Sequence, residues 1–293
     1  MERASEQSKA ASQTVGAKPA IAHAAPHAGG RGVGAMLRGL LAHPLTRGHD
    51  LDDPHTTALR RQIVRGKPFL RRIYQEWYAA LAESIPRAAD VPGRVLELGS
   101  GAGFFNEVVP ETITSDIMLT PGARVVLDGL RLPVPDASLR AIVMTNVFHH
   151  LPDARRFLTE AARAVTAGGV VAMVEPWISA WSRIVYRKLH HEPCLPEAPD
   201  WSFPATGPLS SANEAQAWIV FHRDADVFGR EFPQWRIEHV RPMMPLRYLL
   251  SGGVSMRALV PSFSFPLLRA AENAVGPRAA MFAYVRLRRV EQS

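Results

Sequence analysis

The sequence predicts an α/β fold, a doubly wound and mostly parallel sheet, on three observations. Strand and helix signals alternate from residue 94 onward, and the strand signals are continuous apolar runs, as in sheets covered on both faces. A glycine-rich turn, Gly99-Ser100-Gly101-Ala102-Gly103, follows the first run. Glu97, Asp116, Asp128, Asn146 and Glu175 each end a predicted strand, at the edge where such sheets bind ligands.

Composition sets outer bounds. Apolar residues make up 47% of the 293, ample for a core, and the net charge of +7 favours anionic partners without choosing among them. The one cysteine, Cys194, excludes an internal disulfide and a cysteine-based zinc cluster and fits a reducing compartment. No run of eighteen apolar residues exists, and Arg38 with several glycines interrupts the apolar patch from Met36 to Leu45, so neither a spanning helix nor a signal peptide is expected. The expected location is the cytoplasm, with peripheral contact at the inner membrane surface.

In chain order, residues 1–35 read as a disordered tail, rich in Ala, Gly, Ser and Gln without apolar period. Residues 50–90 read as a helical cap. Asp52-Asp53-Pro54 starts one helix with an acidic cap, and Pro68 starts another. Phe69, Ile73, Trp77 and Leu81 share one face of the second. Trp77 is expected in the core; Tyr74 either packs or closes over a ligand.

Residues 91–177 hold the alternation. Strands are expected at Arg94–Leu98, Thr112–Ser115, Arg124–Leu127, Ala141–Thr145 and Val170–Val174. Helices are expected from Phe104 to about Val109 and from about Asp153 to Val165, the second stopped by Gly168-Gly169. The turn is G-x-G-x-G, with Phe104 where the dinucleotide fingerprint needs its third glycine. That argues for a nucleoside ligand lacking a pyrophosphate, approached by the N-terminus of the following helix.

The motifs Glu97-Leu98-Gly99-Ser100-Gly101-Ala102-Gly103, Asp116, Asp128-Gly129, Leu132-Pro133, Ile142 to Leu151 and Ala167-Gly168-Gly169 resemble the class I S-adenosylmethionine-dependent methyltransferases, in their type-11 group. Arg140 departs from the group, which has an aspartate opening the fourth strand. The resemblance implies a Rossmann-like, seven-stranded sheet. Its last two strands would be Trp235–Val240 and Ala280–Leu287, the seventh antiparallel between the fifth and sixth. It also implies S-adenosylmethionine as cofactor. The turn at Gly99, Ser100, Gly101 and Gly103 would pass under the methionine part, and Asp116 would accept from the ribose hydroxyls. Asp128 and the Gly129 backbone would reach the adenine amine edge. Glu97 would hold the loop or the ammonium, and Ile117 and Asn146 complete the cofactor set.

His149, just past the fourth strand, is the candidate general base, with packing or cofactor lining as the other reading. Residues 178–234 read as an insertion forming an acceptor pocket or lid, and Leu209 to Asn213 as a helix entry. Tyr74, His191, Glu192, Asn213 and Arg223 are candidate acceptor-binding groups, with loop anchoring the rival for the last four. No metal is expected, because neighbouring histidines such as His190 and His191 point apart. Residues 235–290 hold the last strands and a long apolar connection, Leu246–Leu268, expected to meet a membrane surface or a greasy acceptor, with a subunit interface or core cover as the other readings. The expected reaction is methyl transfer to oxygen on a small-molecule, saccharide or lipid-linked acceptor. The alternatives are nucleic-acid methylation, disfavoured by the lack of an Asn-Pro-Pro-Tyr or Asp-Pro-Pro-Tyr motif, and a catalytically inactive scaffold.

Overall fold

The computed structural model describes residues 41–190 and 192–291; the expected tail at 1–35 lies outside them. Seven strands form one sheet: β1 (Arg94–Leu98), β2 (Ile113–Asp116), β3 (Val125–Val126), β4 (Leu139–Thr145), β5 (Val165–Pro176), β6 (Trp235–Met243) and β7 (Phe282–Arg289). Their order is β3-β2-β1-β4-β5-β7-β6. Pairing is parallel from β3 through β5, and β7 lies antiparallel between β5 and β6. The order reverses between β1 and β4, so the carboxyl ends of these strands flank a crevice.

Helices α1 (Pro54–Gly66), α2 (Pro68–Ser84), α3 (Ala154–Ala164), α4 (Ala180–Leu189), α5 (Ala225–Glu231), α6 (Arg247–Ser251) and α7 (Phe265–Val275) accompany the sheet. Asp53 caps α1 by accepting from the His55 N–H, and Asp153 caps α3 through Arg156. The expected face of α2 is buried throughout: Phe69, Ile73, Trp77 and Leu81 are each at most 1% exposed. Trp77 stacks on Tyr248 with ring centres 5.6 Å apart, which joins the cap to the connection after β6.

Three local expectations fail for identifiable reasons. The expected helix from Phe104 is one 3₁₀ turn, Phe105–Glu107. Pro110 follows closely, and it disfavours helical backbone in the residue before it. Gly168-Gly169 does not stop α3, which ends at Ala164; β-branched Val165 and Thr166 have already entered β5. Leu209 to Asn213 is loop, and helix begins only at Gln216, running into a π turn at Ile219–Arg223. The Asp52 carboxylate accepts from the Leu209 and Ser210 N–H groups at 2.7 and 2.9 Å, holding that loop against the N-terminal cap.

At the opposite edge of the sheet from the crevice, Arg140 donates to the Gly93 carbonyl at 2.5 Å and to Glu111 at 3.1 Å. The departure from the resembled pattern therefore lies away from the site.

Candidate active site

A cavity of about 790 Å³ opens at the carboxyl ends of β1, β2 and β4. Its floor is the glycine turn and the segments after β2 and β4. Its walls come from α4 and the loop behind it, and its roof from the segment Tyr248 to Met256. Lys67, at the α1–α2 corner, secures that roof by donating to the carbonyls of Ser251, Gly253 and Met256. Small-molecule sites span about 300–1,000 Å³, so this volume suits a nucleoside-sized cofactor with a small acceptor beside it.

The turn takes its shape from its glycines. Gly99 and Gly101 have φ of +63° and +37°, and a Cβ at Gly99 would collide with Val147. The Gly101 N–H donates to Asp116 Oδ2 at 3.0 Å, and the Met118 N–H donates to Oδ1 at 3.1 Å. Each carboxylate oxygen keeps a lone pair, and Asp116 faces the cavity. Burial pushes this carboxyl up, while the Met118 and Gly101 N–H groups pull it back. Ile117, Asp128 and Gly129 line the same region. Asn146 has a left-handed backbone, φ +56°, and lines the cavity with a buried Oδ1 that has no hydrogen-bond partner among the described residues. A carboxylate with free acceptor capacity, a buried amide oxygen and a glycine-rich turn fit the hydroxyls and amine of a nucleoside.

Beyond Asn146 the chain curls around Glu175, a carboxylate with 0% exposure at the end of β5. Its Oε1 accepts from the Val147 and Phe148 N–H groups, both at 2.8 Å. Its Oε2 lies 2.7 Å from His149 Nδ1. A carboxylate at that distance assigns the proton to Nδ1 and leaves Nε2 as the reactive nitrogen. His149 Nε2 lies 3.4 Å from Glu192 Oε2, and both residues line the cavity. Burial opposes charge on the ring, but hydrogen bonds to Glu175 and Glu192 outweigh it and hold the imidazole well above its usual range. His150, by contrast, is pushed down to about 4 by burial and by neighbouring His149.

The remaining candidates divide by position. Tyr74 lines the cavity while packing on Trp77 and Phe104. Glu97 and Ser100 are buried beneath the turn, outside the cavity lining, and burial lifts the Glu97 carboxyl to about 7. Gly103 makes room for the Tyr78 hydroxyl, which accepts from the Phe104 N–H at 3.2 Å. Asn213 and Arg223 are not among the cavity-lining residues. Asn213 Oδ1 accepts from the Leu195 and Ala215 N–H groups, and Arg223 pairs with Asp224 and donates to the Pro196 and Ala198 carbonyls. Their side-chain bonds stay within the insertion, matching the loop-anchoring alternative. His191 lies outside the described residues.

Sequence reading missed two acids. Glu175 was visible as a strand end, but its partnership with His149 arises only from the fold. Glu214, a cavity-lining carboxylate 2.8 Å from His190, carries no sequence signal at all.

Residues 96–173 match the family model described as a methyltransferase domain. No curated protein matches the chain. Among solved structures, the chain is similar to a geranyl diphosphate C-methyltransferase from Streptomyces coelicolor A3(2). That pair is 12% identical with a TM-score of 0.44, over 85% of this chain and 92% of that one. It is also similar to an S-adenosylmethionine-dependent methyltransferase from Mesorhizobium loti, 18% identical with a TM-score of 0.43, over 72% of this chain and 96% of that one. The matched stretch spans the glycine turn, Asp116 and the strands that flank the crevice, and over these residues the chain carries a methyltransferase domain.

Proposed function

We propose that the enzyme methylates an oxygen of a small-molecule, saccharide or lipid-linked acceptor bound between His149, Glu192 and the aromatic roof. The observation that carries this reading is the buried Glu175–His149 pair, whose Nε2 faces a cavity large enough for two ligands. When bound, S-adenosylmethionine supplies an electrophilic methyl group on a sulfonium. Asp116, Asn146, Asp128 and the Gly99–Gly103 turn hold it; Glu97 and Ser100 support the turn from below. Tyr74, Tyr186, Tyr248 and Phe282 line the cavity and exclude water, which favours a reaction that neutralises charge. A hydroxyl acceptor is a poor nucleophile until it loses its proton, and His149 Nε2 is placed to take it. General base catalysis of this kind contributes about 10²–10⁴-fold. Only the neutral ring can accept a proton, and its proton affinity is raised. The rate is therefore expected to rise with pH through a midpoint above 6.5, read from kcat/KM against pH.

A membrane-delivered acceptor is part of the same reading. Among the described residues no helix is long and apolar enough to cross a membrane. The connection that roofs the cavity nevertheless exposes Phe263 (82%), Leu267 (72%) and Leu259 (47%), between Arg257 and Arg269.

The test is transfer of labelled methyl from S-adenosylmethionine to separated lipid, saccharide and RNA fractions, with anionic vesicles in a parallel flotation. Label is expected in the lipid or saccharide fraction, and flotation is expected to fail for a Phe263→Glu variant. Label in RNA would overturn the acceptor assignment; absence of flotation at low salt would remove the membrane from it.

A further inference from the structure

The cavity wall carries a second cluster, which shares only Glu192 with the His149 site. His190 closes the C-terminal end of α4, Glu192 follows two residues later, and Glu214 enters from the loop before the π turn. His190 Nδ1 lies 2.8 Å from Glu214 Oε1 and 4.0 Å from Glu192 Oε2. One donor atom from each residue falls within 4.8 Å of the other two. All three residues line the cavity.

Glu214 supplies an independent observation. It is 2% exposed, and its Oε2 is buried with no hydrogen-bond partner among the described residues. Leaving a buried acceptor unpaired costs about 1–3 kcal/mol, and more when the group is charged. His190 satisfies the other oxygen of this carboxylate; among the described residues Oε2 has nothing to accept from.

We propose that His190, Glu192 and Glu214 bind a divalent first-row transition cation, of the Zn²⁺ or Mn²⁺ class. One imidazole and two carboxylates form a mixed nitrogen–oxygen set suited to these ions and balance their charge. Mg²⁺ fits less well, because it favours oxygen ligands and gives up water reluctantly. Metal–ligand bonds of about 2.0–2.1 Å in a tetrahedral site put donor atoms roughly 3.3 Å apart. The separations of 2.8 and 4.0 Å bracket that value, so small side-chain rotations suffice. The proton between His190 Nδ1 and Glu214 leaves to solvent when the ion takes its place. Glu192 also borders His149, so the ion and the base flank one position. An acceptor oxygen placed there would be bound by the ion and deprotonated more readily. That use of the ion rests on the acceptor reading above; binding of the ion does not.

The experiment uses the full chain, stripped with a chelator and free of any acceptor. Mn²⁺ is titrated while loss of its free electron paramagnetic resonance signal is followed, and Zn²⁺ is then added as competitor. One Mn²⁺ per chain is expected, displaced by stoichiometric Zn²⁺. Glu214→Gln is expected to weaken binding by more than roughly tenfold, with S-adenosylmethionine affinity unchanged in calorimetry. Should that variant misfold, His190→Asn takes its place with the same expectation. Failure of the unaltered chain to bind Mn²⁺ or Zn²⁺, or equal binding by a folded variant, overturns the proposal. Neither result bears on which acceptor is methylated.

Discussion

Glu175→Gln is expected to lower kcat by roughly 10²–10⁴-fold, the range of a general base lost, while leaving cofactor affinity nearly intact. Glutamine has the same shape, and its Oε1 can still accept from the Val147 and Phe148 N–H groups. Its amide nitrogen then faces His149 Nδ1, where the carboxylate oxygen was 2.7 Å away. Two N–H groups cannot face each other, so the ring proton moves to Nε2, and the nitrogen facing the cavity stops being a base. Steady-state turnover, with calorimetry of S-adenosylmethionine on the same sample, checks this. Turnover within threefold of the parent would remove the Glu175–His149 pair from the mechanism.

Asp116→Ala is expected to weaken S-adenosylmethionine binding at least tenfold, about 1.4 kcal/mol. Two effects add. The variant loses the carboxylate proposed to accept from the cofactor hydroxyls. It also frees the Gly101 and Met118 N–H groups that this carboxylate orients, so the turn loses its brace. A separate melting curve tells loss of binding from loss of fold. Unchanged calorimetric affinity in a folded variant would sink the assignment of Asp116.

Much of the sheet could be read in advance because its strands are continuous apolar runs that end in polar residues. Val95 to Leu98 and Val170 to Val174 are buried as that pattern requires, and Glu97 and Asp116 fall at the strand ends. Prolines and acids marked the starts of α1 and α2 because their effects are local. Legibility ended where a partner is distant in the chain. His149 and Glu175 are 26 positions apart, and no spacing rule joins them. The pairing of His190 with Glu214 likewise depends on a loop folding back. Asn213 and Arg223 had the chemistry of binding groups, but nearby backbone carbonyls and N–H groups claim their bonds. In the truncated helix after Gly103, Pro110 outweighed the helical signal read from Phe104 to Val109.

The account's central claim is that methyl reaches an oxygen of an acceptor held beside His149. Its most direct test is nuclear magnetic resonance of the product made with ¹³C-methyl S-adenosylmethionine. The account predicts a methyl signal bonded to oxygen, formed by the parent enzyme and nearly absent with Glu175→Gln. A methyl bonded to nitrogen or carbon, or an equal yield from the variant, would contradict it.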